Sequence, residues 1–290
     1  MDEFKEKLIA LLHYPNCTWN YVYQVLKKDP KLQNFQPSPA SLQLELSLGA
    51  APASKPIITS LYPHSLHEQI RQYQSNDISV ITIFDTEYPP YLKEIYQPPW
   101  ALFVKGNVSL LKKETLLAVV GSRQATQYGK NAIRLIFPEL IENDIVIVSG
   151  LARGIDALAH EYAVKNGGHT IAVIAGGLYH IYPKENLNLA MELMKTQLVV
   201  SEYPPNTKPQ RWHFPARNRI ISGMSRGTFI IEAKRKSGSL ITANYAVNEG
   251  REVFSLPGSI FNPFSVGANE LIQQGAKLVT CASDILEEIR

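Results

Sequence analysis

IVIVSGLARGID, residues 145–156, is the stretch that decides the fold of this chain. Ile145–Ser149 is an almost wholly β-branched apolar run, which predicts a buried strand. A glycine turn follows, and an apolar helical pattern then covers about residues 155–166. A strand, a glycine turn and a helix in this order predict one unit of a parallel sheet.

The same unit recurs along the chain on both sides of this stretch. Strands are predicted at 78–84, 101–104, 117–120, 145–149, 171–175, 198–201, 228–232, 252–256 and 278–280. Helices are predicted at about 127–141, 155–166, 185–195, 216–224, 240–248 and 285–289. Short apolar strands that alternate with helices predict a doubly wound α/β fold, in which helices cover both faces of a mostly parallel sheet.

The first part of the chain has a different, purely helical pattern. Apolar residues recur at helical spacing from Phe4 to Leu12 and again from Val22 to Leu26, with Asn16 or Thr18 as the cap of the second helix. A third apolar pattern covers residues 42–48, a loop covers 49–56, and a further helix covers 65–73. We therefore predict a small helical domain at 1–75 and an α/β domain at 76–290.

Composition and motifs exclude several classes of protein. The N-terminus is too charged for a signal peptide and no apolar run is long enough to span a membrane, so we predict a cytoplasmic protein without a membrane partner. Cys17 and Cys281 are isolated, which argues against a disulfide framework. We find no dinucleotide fingerprint, no Walker A loop and no His/Asp/Glu cluster with metal spacing. We predict no cofactor and no metal.

The net charge of +3 is small, so any electrostatic function must come from local clusters. In doubly wound sheets, ligands bind outside the carboxyl ends of the strands. Glycines and cations follow the predicted strands at 121–123, 150–154, 176–184 and 234–239. One edge of the sheet is therefore predicted to form a positive groove.

Residues 213–221, HFPARNRII, place Arg217 and Arg219 beside an apolar helical pattern. The N-terminus of a helix has unpaired N–H groups and a partial positive charge, and the guanidinium fork matches phosphate oxygens. We predict that this stretch binds the backbone of a nucleic acid at a helix N-terminus.

Each of these features has a simpler structural interpretation when it is considered alone. The glycine turns fit purely structural turns at the strand ends, and Asp156 is either a helix cap or a catalytic acid. His160 is either a packing residue or a chemical group, and Phe214 fits a packed core. Glu202 and Glu232 end two predicted strands, where they would serve in acid–base catalysis or brace the arginines by ion pairing. The recurrence of cations at successive strand ends favours a binding site over these alternatives.

Several motifs follow one another along the α/β part of the chain. The main ones are VVGSR at 119–123, SGLARGID at 149–156, HFPARNRII at 213–221 and SGSLIT at 237–242. Others are DTEYPPYL at 85–92, KGN at 105–107, FSLPGS at 254–259 and NELIQQGA at 269–276. With these motifs the chain resembles the bacterial DNA-processing protein A (DprA/Smf) family over roughly residues 78–281, in unbroken order.

The resemblance implies an extended Rossmann-like domain preceded by a sterile-alpha-motif-like (SAM-like) helical module. It implies a protein that is not an enzyme, that binds single-stranded DNA without sequence preference and that loads the recombinase RecA onto it during natural transformation. Single-strand-binding protein and a second copy of the chain are the other implied partners, with Asn269, Ile272 and Leu278 at the dimer interface. The predicted DNA site comprises Gly121, Ser122, Arg123, Gly150, Arg153, Gly154, Lys184, Phe214, Arg217, Asn218, Arg219 and Ser239.

The main alternative is a nucleotide-processing enzyme. Rossmann-like phosphoribohydrolases use a Pro-Gly-Gly loop followed by a catalytic glutamate. The nearest stretch here, KSGSLITAN at 236–244, has neither the glycine pair nor the glutamate. A pure protein-interaction scaffold is the third interpretation, and it predicts no binding of an oligonucleotide.

Overall fold

A computed structural model describes residues 2–14, 17–35 and 66–289 of the chain. The chain divides into two compact units, Met1–Ile78 and Ser79–Arg290. No helix within the described ranges is both long enough and apolar enough to cross a membrane.

The described part of the first unit is helical. Its helices are α1 (Glu3–Leu12), α2 (Trp19–Lys28) and α3 (Leu66–Ser75). The hydroxyl of Thr18 accepts a hydrogen bond from the backbone N–H of Tyr21 at 3.2 Å, so Thr18 is the cap of α2. The predicted apolar pattern at 42–48 and the predicted loop at 49–56 lie outside the described residues.

One sheet organises the rest of the chain. Its strands are β1 (Ile78–Thr82), β2 (Ala101–Gly106), β3 (Leu116–Val120), β4 (Val146–Ser149), β5 (Thr170–Ile174), β6 (Leu198–Ser201), β7 (Gly227–Ile230), β8 (Glu252–Ser255) and β9 (Lys277–Leu278). They lie in the order β1-β2-β6-β5-β4-β3-β7-β8-β9. Neighbouring strands from β6 to β9 are parallel, whereas β2 runs antiparallel to β6. The predicted mostly parallel sheet is confirmed.

The helices lie on both faces of this sheet. They are α4 (Pro90–Lys93), α5 (Gln127–Glu142), α6 (Ile155–Lys165), α7 (Leu187–Thr196), α8 (His213–Gly223), α9 (Gly238–Asn248), α10 (Val266–Gln273) and α11 (Ser283–Ile289), with 3-10 helices at Val108–Lys112 and Lys184–Asn186. Along β3, Ala118 packs into a core with residues of α8 and α9, and Val119 packs into a second core with residues of α5 and α6. Both faces of β3 are therefore buried, as its continuous apolar sequence predicts.

The strand order places a topological switch point between β3 and β7. From β3 the chain winds outward through β4, β5 and β6, and it then returns to the other side of β3 to form β7 and β8. Neighbouring loops diverge at such a point and leave a crevice at the carboxyl ends of the strands. This crevice is the structural basis of the candidate site.

Two predicted boundaries are wrong in ways that matter for the site or the core. Strand β1 ends at Thr82 rather than residue 84, because the Asp85 carboxylate accepts hydrogen bonds from the N–H and hydroxyl of Thr82 and closes a turn.

Helix α8 begins at His213 rather than residue 216. Proline is tolerated in the first turn of a helix, where its missing N–H has no intrahelical partner, so Pro215 lies inside α8. Arg217 and Arg219 consequently lie within the helix, not at its N-terminus.

Candidate functional site

A cleft of about 980 Å³ opens at the switch point. Its walls are the turns that follow β3, β4 and β5, the start of α8, and the turn after β7 that leads directly into α9. The cleft is therefore built from five segments that are distant in sequence and that the parallel sheet brings to one edge.

Cations dominate the lining of the cleft. The charged side chains that line it are Arg123, Arg153, Arg211, Arg217, Lys234 and Asp156. Five positive groups thus face a single carboxylate, and the low-dielectric walls of a cleft strengthen the resulting potential. The cleft is suited to an anion.

Arg217 is the buried centre of the site, with only 6% of its surface exposed. Its Nη1 donates hydrogen bonds to the carbonyl oxygen of Val173 at 2.6 Å and to the carbonyl oxygen of Gly150. Its Nε donates to Oδ1 of Asn218 at 3.2 Å. A Cβ atom on Gly150 would lie 2.2 Å from Nη1, so glycine is required there to make room for the guanidinium. Arg217 therefore ties α8 to the ends of β4 and β5.

Asp156 is the buried counter-charge. Its Oδ2 accepts hydrogen bonds from the N–H groups of Gly150 at 3.1 Å and Ala152 at 3.4 Å, so it braces the turn after β4. Burial raises the pKa of Asp156, while the positive charge of Arg217 and the N–H donors act in the opposite direction. Burial lowers the pKa of Arg217 to about 10, which leaves it charged at neutral pH. Asp156 is thus neither a helix cap nor a free catalytic acid.

Gly154 joins two of the turns that line the cleft. Its φ of +77° lies in the region that favours glycine, and a Cβ atom there would lie 2.2 Å from the carbonyl oxygen of Ser122 and 2.7 Å from the carbonyl carbon of Arg123. The turn after β4 therefore supports the turn that carries Arg123.

Gly154→Ala is expected to destabilise the protein by about 1–3 kcal/mol, because it combines backbone strain with a steric clash against the Ser122–Arg123 turn. Chemical denaturation measures this loss. Gly167→Ala is the matched control, since Gly167 has a similar φ of +74° but no atom within 4 Å of the added Cβ. Equal losses in the two variants would show that the close approach at Gly154 does not matter.

His160 is a buried neutral histidine in α6. The hydroxyl of Thr170 donates to the carbonyl oxygen of Ile147 at 2.7 Å, so the Nδ1–H of His160 must donate to that hydroxyl, at 2.6 Å. Burial, and secondarily the charge of Arg217, lowers the pKa of His160 from 6.5 to about 3. His160 is a packing residue, as one of the two sequence interpretations proposes.

The depressed pKa of His160 makes stability depend on pH. In the unfolded chain His160 becomes protonated below about pH 6.5, whereas in the folded chain it stays neutral down to about pH 3. The free energy of unfolding should therefore fall as the pH is lowered, by roughly 2 kcal/mol between pH 7 and 5 from this residue.

His160→Gln removes the titrating ring and keeps an N–H donor, so it should lower this acid sensitivity by that amount. Urea unfolding of both proteins at pH 7 and pH 5 measures the difference. Burial also lowers the pKa values of His13 and His213, so both proteins will keep some acid sensitivity. An identical loss in the two proteins would contradict the assignment to His160.

Three cations of the cleft are available to an anion from outside. Arg123 is exposed, and its charge helps to lower the pKa of Arg217, so the two guanidiniums are close enough to repel each other. Arg211 is also exposed. Lys234 donates to Oε1 of Gln124 at 3.1 Å across the switch point. An anion bound between these groups would relieve the repulsion.

The start of α9 adds backbone donors. Ser237, Gly238 and Ser239 line the cleft at the N-terminus of the helix. The hydroxyls of Ser237 and Ser239 hydrogen-bond to each other at 2.7 Å, and Nδ2 of Asn218 donates to the carbonyl oxygen of Gly238 at 3.3 Å. Asn218 thus holds the N-terminus of α9 against α8. The partial positive charge at this N-terminus of α9 lies at the cleft.

One wall of the cleft is aromatic. Phe214 and Tyr182 both line it, and their ring centroids lie 5.6 Å apart at an interplanar angle of 72°. Edge-to-face packing of this kind holds both rings in place. The cleft therefore offers apolar ring surface beside its cations.

Nine of the twelve residues predicted from the sequence line the cleft. They are Gly121, Ser122, Arg123, Gly150, Arg153, Phe214, Arg217, Asn218 and Ser239. Arg153 does so while paired with Glu185 in an exposed ion pair.

The other three predicted residues, Gly154, Lys184 and Arg219, are not part of the lining. Arg219 is two residues from Arg217 on α8 and therefore points to another side of the helix, where it pairs with Glu202. Burial raises the pKa of Glu202, and Arg219 offsets part of that rise. Glu202 thus braces an arginine, which is one of the two roles considered for it. Glu232 instead accepts from the N–H and hydroxyl of Thr126 at the start of α5.

Several lining residues are not among the twelve predicted site residues, above all Arg211, Lys234, Gln124 and Tyr182, although Lys234 belongs to the run 234–239 that the sequence places at the groove. Lys234 and Arg211 belong to basic runs whose sequence gives no indication of which members face inward. The run at 234–236 illustrates this, because Arg235 pairs with Glu270 instead. Within the described residues, no group of three or more His, Cys, Asp or Glu side chains could hold a metal ion.

Of the three residues predicted at a dimer interface, Asn269 and Ile272 lie in α10 and Leu278 lies in β9. Asn269 exchanges hydrogen bonds with the backbone of Gly258, Ile272 is half-buried and Leu278 is exposed. Their role at an interface stays a prediction.

The chain is similar in sequence to known proteins. Residues 79–290 match the sequence model of a family described as DNA recombination-mediator protein A. A protein called DNA processing protein DprA from Bacillus subtilis (strain 168) is 49% identical over 239 residues, which cover 82% of this chain and 80% of the relative.

Two solved structures are also similar. That of DNA processing protein A from Streptococcus pneumoniae has a TM-score of 0.80 and 40% sequence identity, and the match covers 98% of each chain. That of DNA processing protein A from Helicobacter pylori, whose description concerns its single-stranded DNA binding mode, has a TM-score of 0.65 and 32% identity, and covers 72% of this chain and 94% of the other.

Proposed function

The chain belongs to the DNA recombination-mediator protein A family, and on that premise we propose that its cleft binds single-stranded DNA without sequence preference. The observation that carries the proposal is the lining of the cleft. It contains five cations and one carboxylate, together with glycine turns that follow three of the strands. The similarity to a relative described by its binding of single-stranded DNA supports it.

In the proposed complex, the exposed cations Arg123, Arg211 and Lys234 hold phosphates. Arg217 is buried beneath these cations, and its Nη1 already donates to two carbonyl oxygens. It therefore contributes positive potential and stabilises the shape of the cleft. Turn N–H groups and the start of α9 add hydrogen bonds. Phe214 offers a ring on which a base can stack. None of these groups reads the identity of a base.

We propose binding rather than catalysis. Within the described part of the chain, Asp156 is the sole carboxylate that lines the cleft. It is buried, and its carboxylate accepts hydrogen bonds from the backbone N–H groups of Gly121, Gly150 and Ala152. A general base needs a free lone pair within reach of the proton that it takes. Incubation with nucleoside monophosphates should therefore release no free base.

A titration at several salt concentrations tests the binding. Phosphate contacts release counterions, and three of them on a single strand predict a slope of log K against log[salt] of about −2. Fluorescence anisotropy of a labelled oligothymidylate measures the slope. Binding that is absent at low salt would refute the proposal, and binding without salt dependence would refute the role of the cations.

We further propose that the protein loads RecA onto single-stranded DNA during natural transformation and recombination, in the cytoplasm and as a homodimer. Single-strand-binding protein is the competitor that it would displace. A dimer has two clefts, and two linked sites bind one long strand more tightly than either site does alone. Asn269, Ile272 and Leu278 remain the proposed interface, and residues 1–75 remain a proposed SAM-like module. Arg153, Gly154 and Lys184 remain proposed members of the DNA site, whereas Arg219 is excluded from it by its pairing with Glu202 on another side of α8.

A RecA-loading assay on DNA coated with single-strand-binding protein tests the partner function. The protein should accelerate formation of RecA filaments, and Leu278→Asp should weaken dimers in sedimentation because it places a charge on an exposed apolar position. Unchanged filament formation would refute RecA loading without affecting the proposal that the cleft binds DNA.

A further inference from the structure

Trp212 lies beside the cleft in an unusual environment for its residue type. It follows Arg211 in the sequence, and Arg211 lines the cleft. The exposed fraction of Trp212 is 69%. Indole rings are normally largely buried, because their large apolar surface is costly to leave in water. Tryptophan is enriched at binding surfaces, so an exposed tryptophan next to a binding cleft is a candidate for contact with the ligand.

The backbone holds Trp212 in a fixed position. It is the residue immediately before α8, and the N–H of Ala216 donates to its carbonyl oxygen at 3.4 Å. The next residue, His213, is buried and stacks on Tyr203 with ring centroids 4.0 Å apart. The rings of Trp212 and His213 lie 5.8 Å apart at 85°. Trp212 is thus anchored through His213 while most of its own ring faces solvent.

Tyr182 gives the same wall a second exposed ring. It lines the cleft, 54% of its surface is exposed, and it packs edge-to-face on Phe214. Trp212 stands immediately before α8, and Phe214 is the second residue of that helix. The exposed ring of Trp212 therefore lies at the start of the helix whose first turn carries Phe214, and next in sequence to Arg211, which lines the cleft.

We infer that Trp212, together with Tyr182, forms a stacking platform for unpaired bases next to the nucleotides whose phosphates the cleft holds. The inference rests on the proposed binding of single-stranded DNA and extends that site beyond its cations. Every base has an apolar face, so a platform of this kind tolerates any sequence. In a duplex the base faces are occupied by neighbouring base pairs, so the platform favours unpaired strands.

Stacking and phosphate contacts can be separated experimentally. A labelled oligothymidylate offers bases and phosphates, whereas an abasic strand of the same length offers only the phosphates and sugars. Trp212→Ala should weaken binding of oligothymidylate by roughly 5- to 150-fold, the range for losing one stacked base. Binding of the abasic strand, and the slope of log K against log[salt], should stay unchanged because no phosphate contact is lost.

Two variants control for indirect effects. Trp212→Phe keeps an aromatic ring and should restore most of the affinity that Trp212→Ala loses. Tyr96→Ala removes an exposed ring that lies outside the cleft lining, between α4 and β2, and should leave binding unchanged. Tryptophan fluorescence should be quenched by oligothymidylate in the wild-type protein, and most of that quenching should vanish in Trp212→Phe.

The outcomes distinguish this inference from the function on which it rests. Wild-type protein that binds neither strand would overturn both. If the wild type binds oligothymidylate and Trp212→Ala binds it equally well, the platform is refuted while the cleft stands. An equal loss on both strands would also refute stacking, since it would show that Trp212 acts through the phosphate site or the fold.

Discussion

Arg123→Glu is expected to lower the affinity for single-stranded DNA at least ~100-fold while leaving the stability of the protein unchanged. Losing a hydrogen bond to a charged group costs roughly 1.5–3 kcal/mol, and the new carboxylate adds repulsion of the phosphate. Arg123 is exposed on the turn after β3 and lies close enough to Arg217 to affect its pKa, so it faces the most positive part of the cleft. Anisotropy titration at low salt measures the loss.

The control for Arg123→Glu is a charge reversal elsewhere on the same domain. Arg134→Glu changes an exposed cation of α5 that is not part of the cleft lining, and the net charge changes by the same amount. It should weaken binding only slightly, through the general field of the protein. If both variants bind equally well, or lose affinity equally, the cleft is not the site.

Arg217→Met is expected to destabilise the folded protein by about 3–5 kcal/mol, which is the range for removing one partner from a buried charged network. The variant leaves the buried Asp156 without its main counter-charge, and the carbonyl oxygens of Gly150 and Val173 without a donor. The expected result is a large drop in the denaturation midpoint, with DNA binding lost as a consequence of the altered cleft.

Arg211→Met is the matched control for Arg217→Met, because Arg211 also lines the cleft but is exposed. Its removal should weaken DNA binding and leave the midpoint unchanged. Arg217→Lys keeps the charge but loses the planar fork, so its denaturation midpoint should lie between those of Arg217→Met and Arg211→Met. A midpoint for Arg217→Met equal to that of Arg211→Met would contradict the structural role of Arg217.

The two arginines of HFPARNRII show what the sequence could and could not predict. The glycine turns, the parallel sheet and the position of a binding edge follow from local patterns that recur along the chain. The burial of Arg217 does not, because it depends on the exact start of α8 and on carbonyl oxygens 67 and 44 residues away. The sequence includes Arg217 in the site but places it wrongly, at a helix N-terminus instead of buried within α8.

The glycines give a second example of this limit. The sequence places Gly150 in the predicted DNA site, whereas in the structure the space beside its Cα is filled by the guanidinium of Arg217. At Gly154 the close neighbour is the turn that carries Arg123. At both positions glycine is required because another part of the chain fills the space that a Cβ atom would occupy. Long-range packing of this kind cannot be inferred from the spacing of residues alone.

Backbone hydrogen exchange with and without oligothymidylate tests the central claim most directly, because it shows where the strand lies. The account predicts slower exchange in the turns at 121–124, 150–153 and 234–239 when the oligonucleotide is bound, since these segments line the cleft. Unchanged exchange in these turns, with slower exchange confined to residues 2–35 or 66–78, would contradict it.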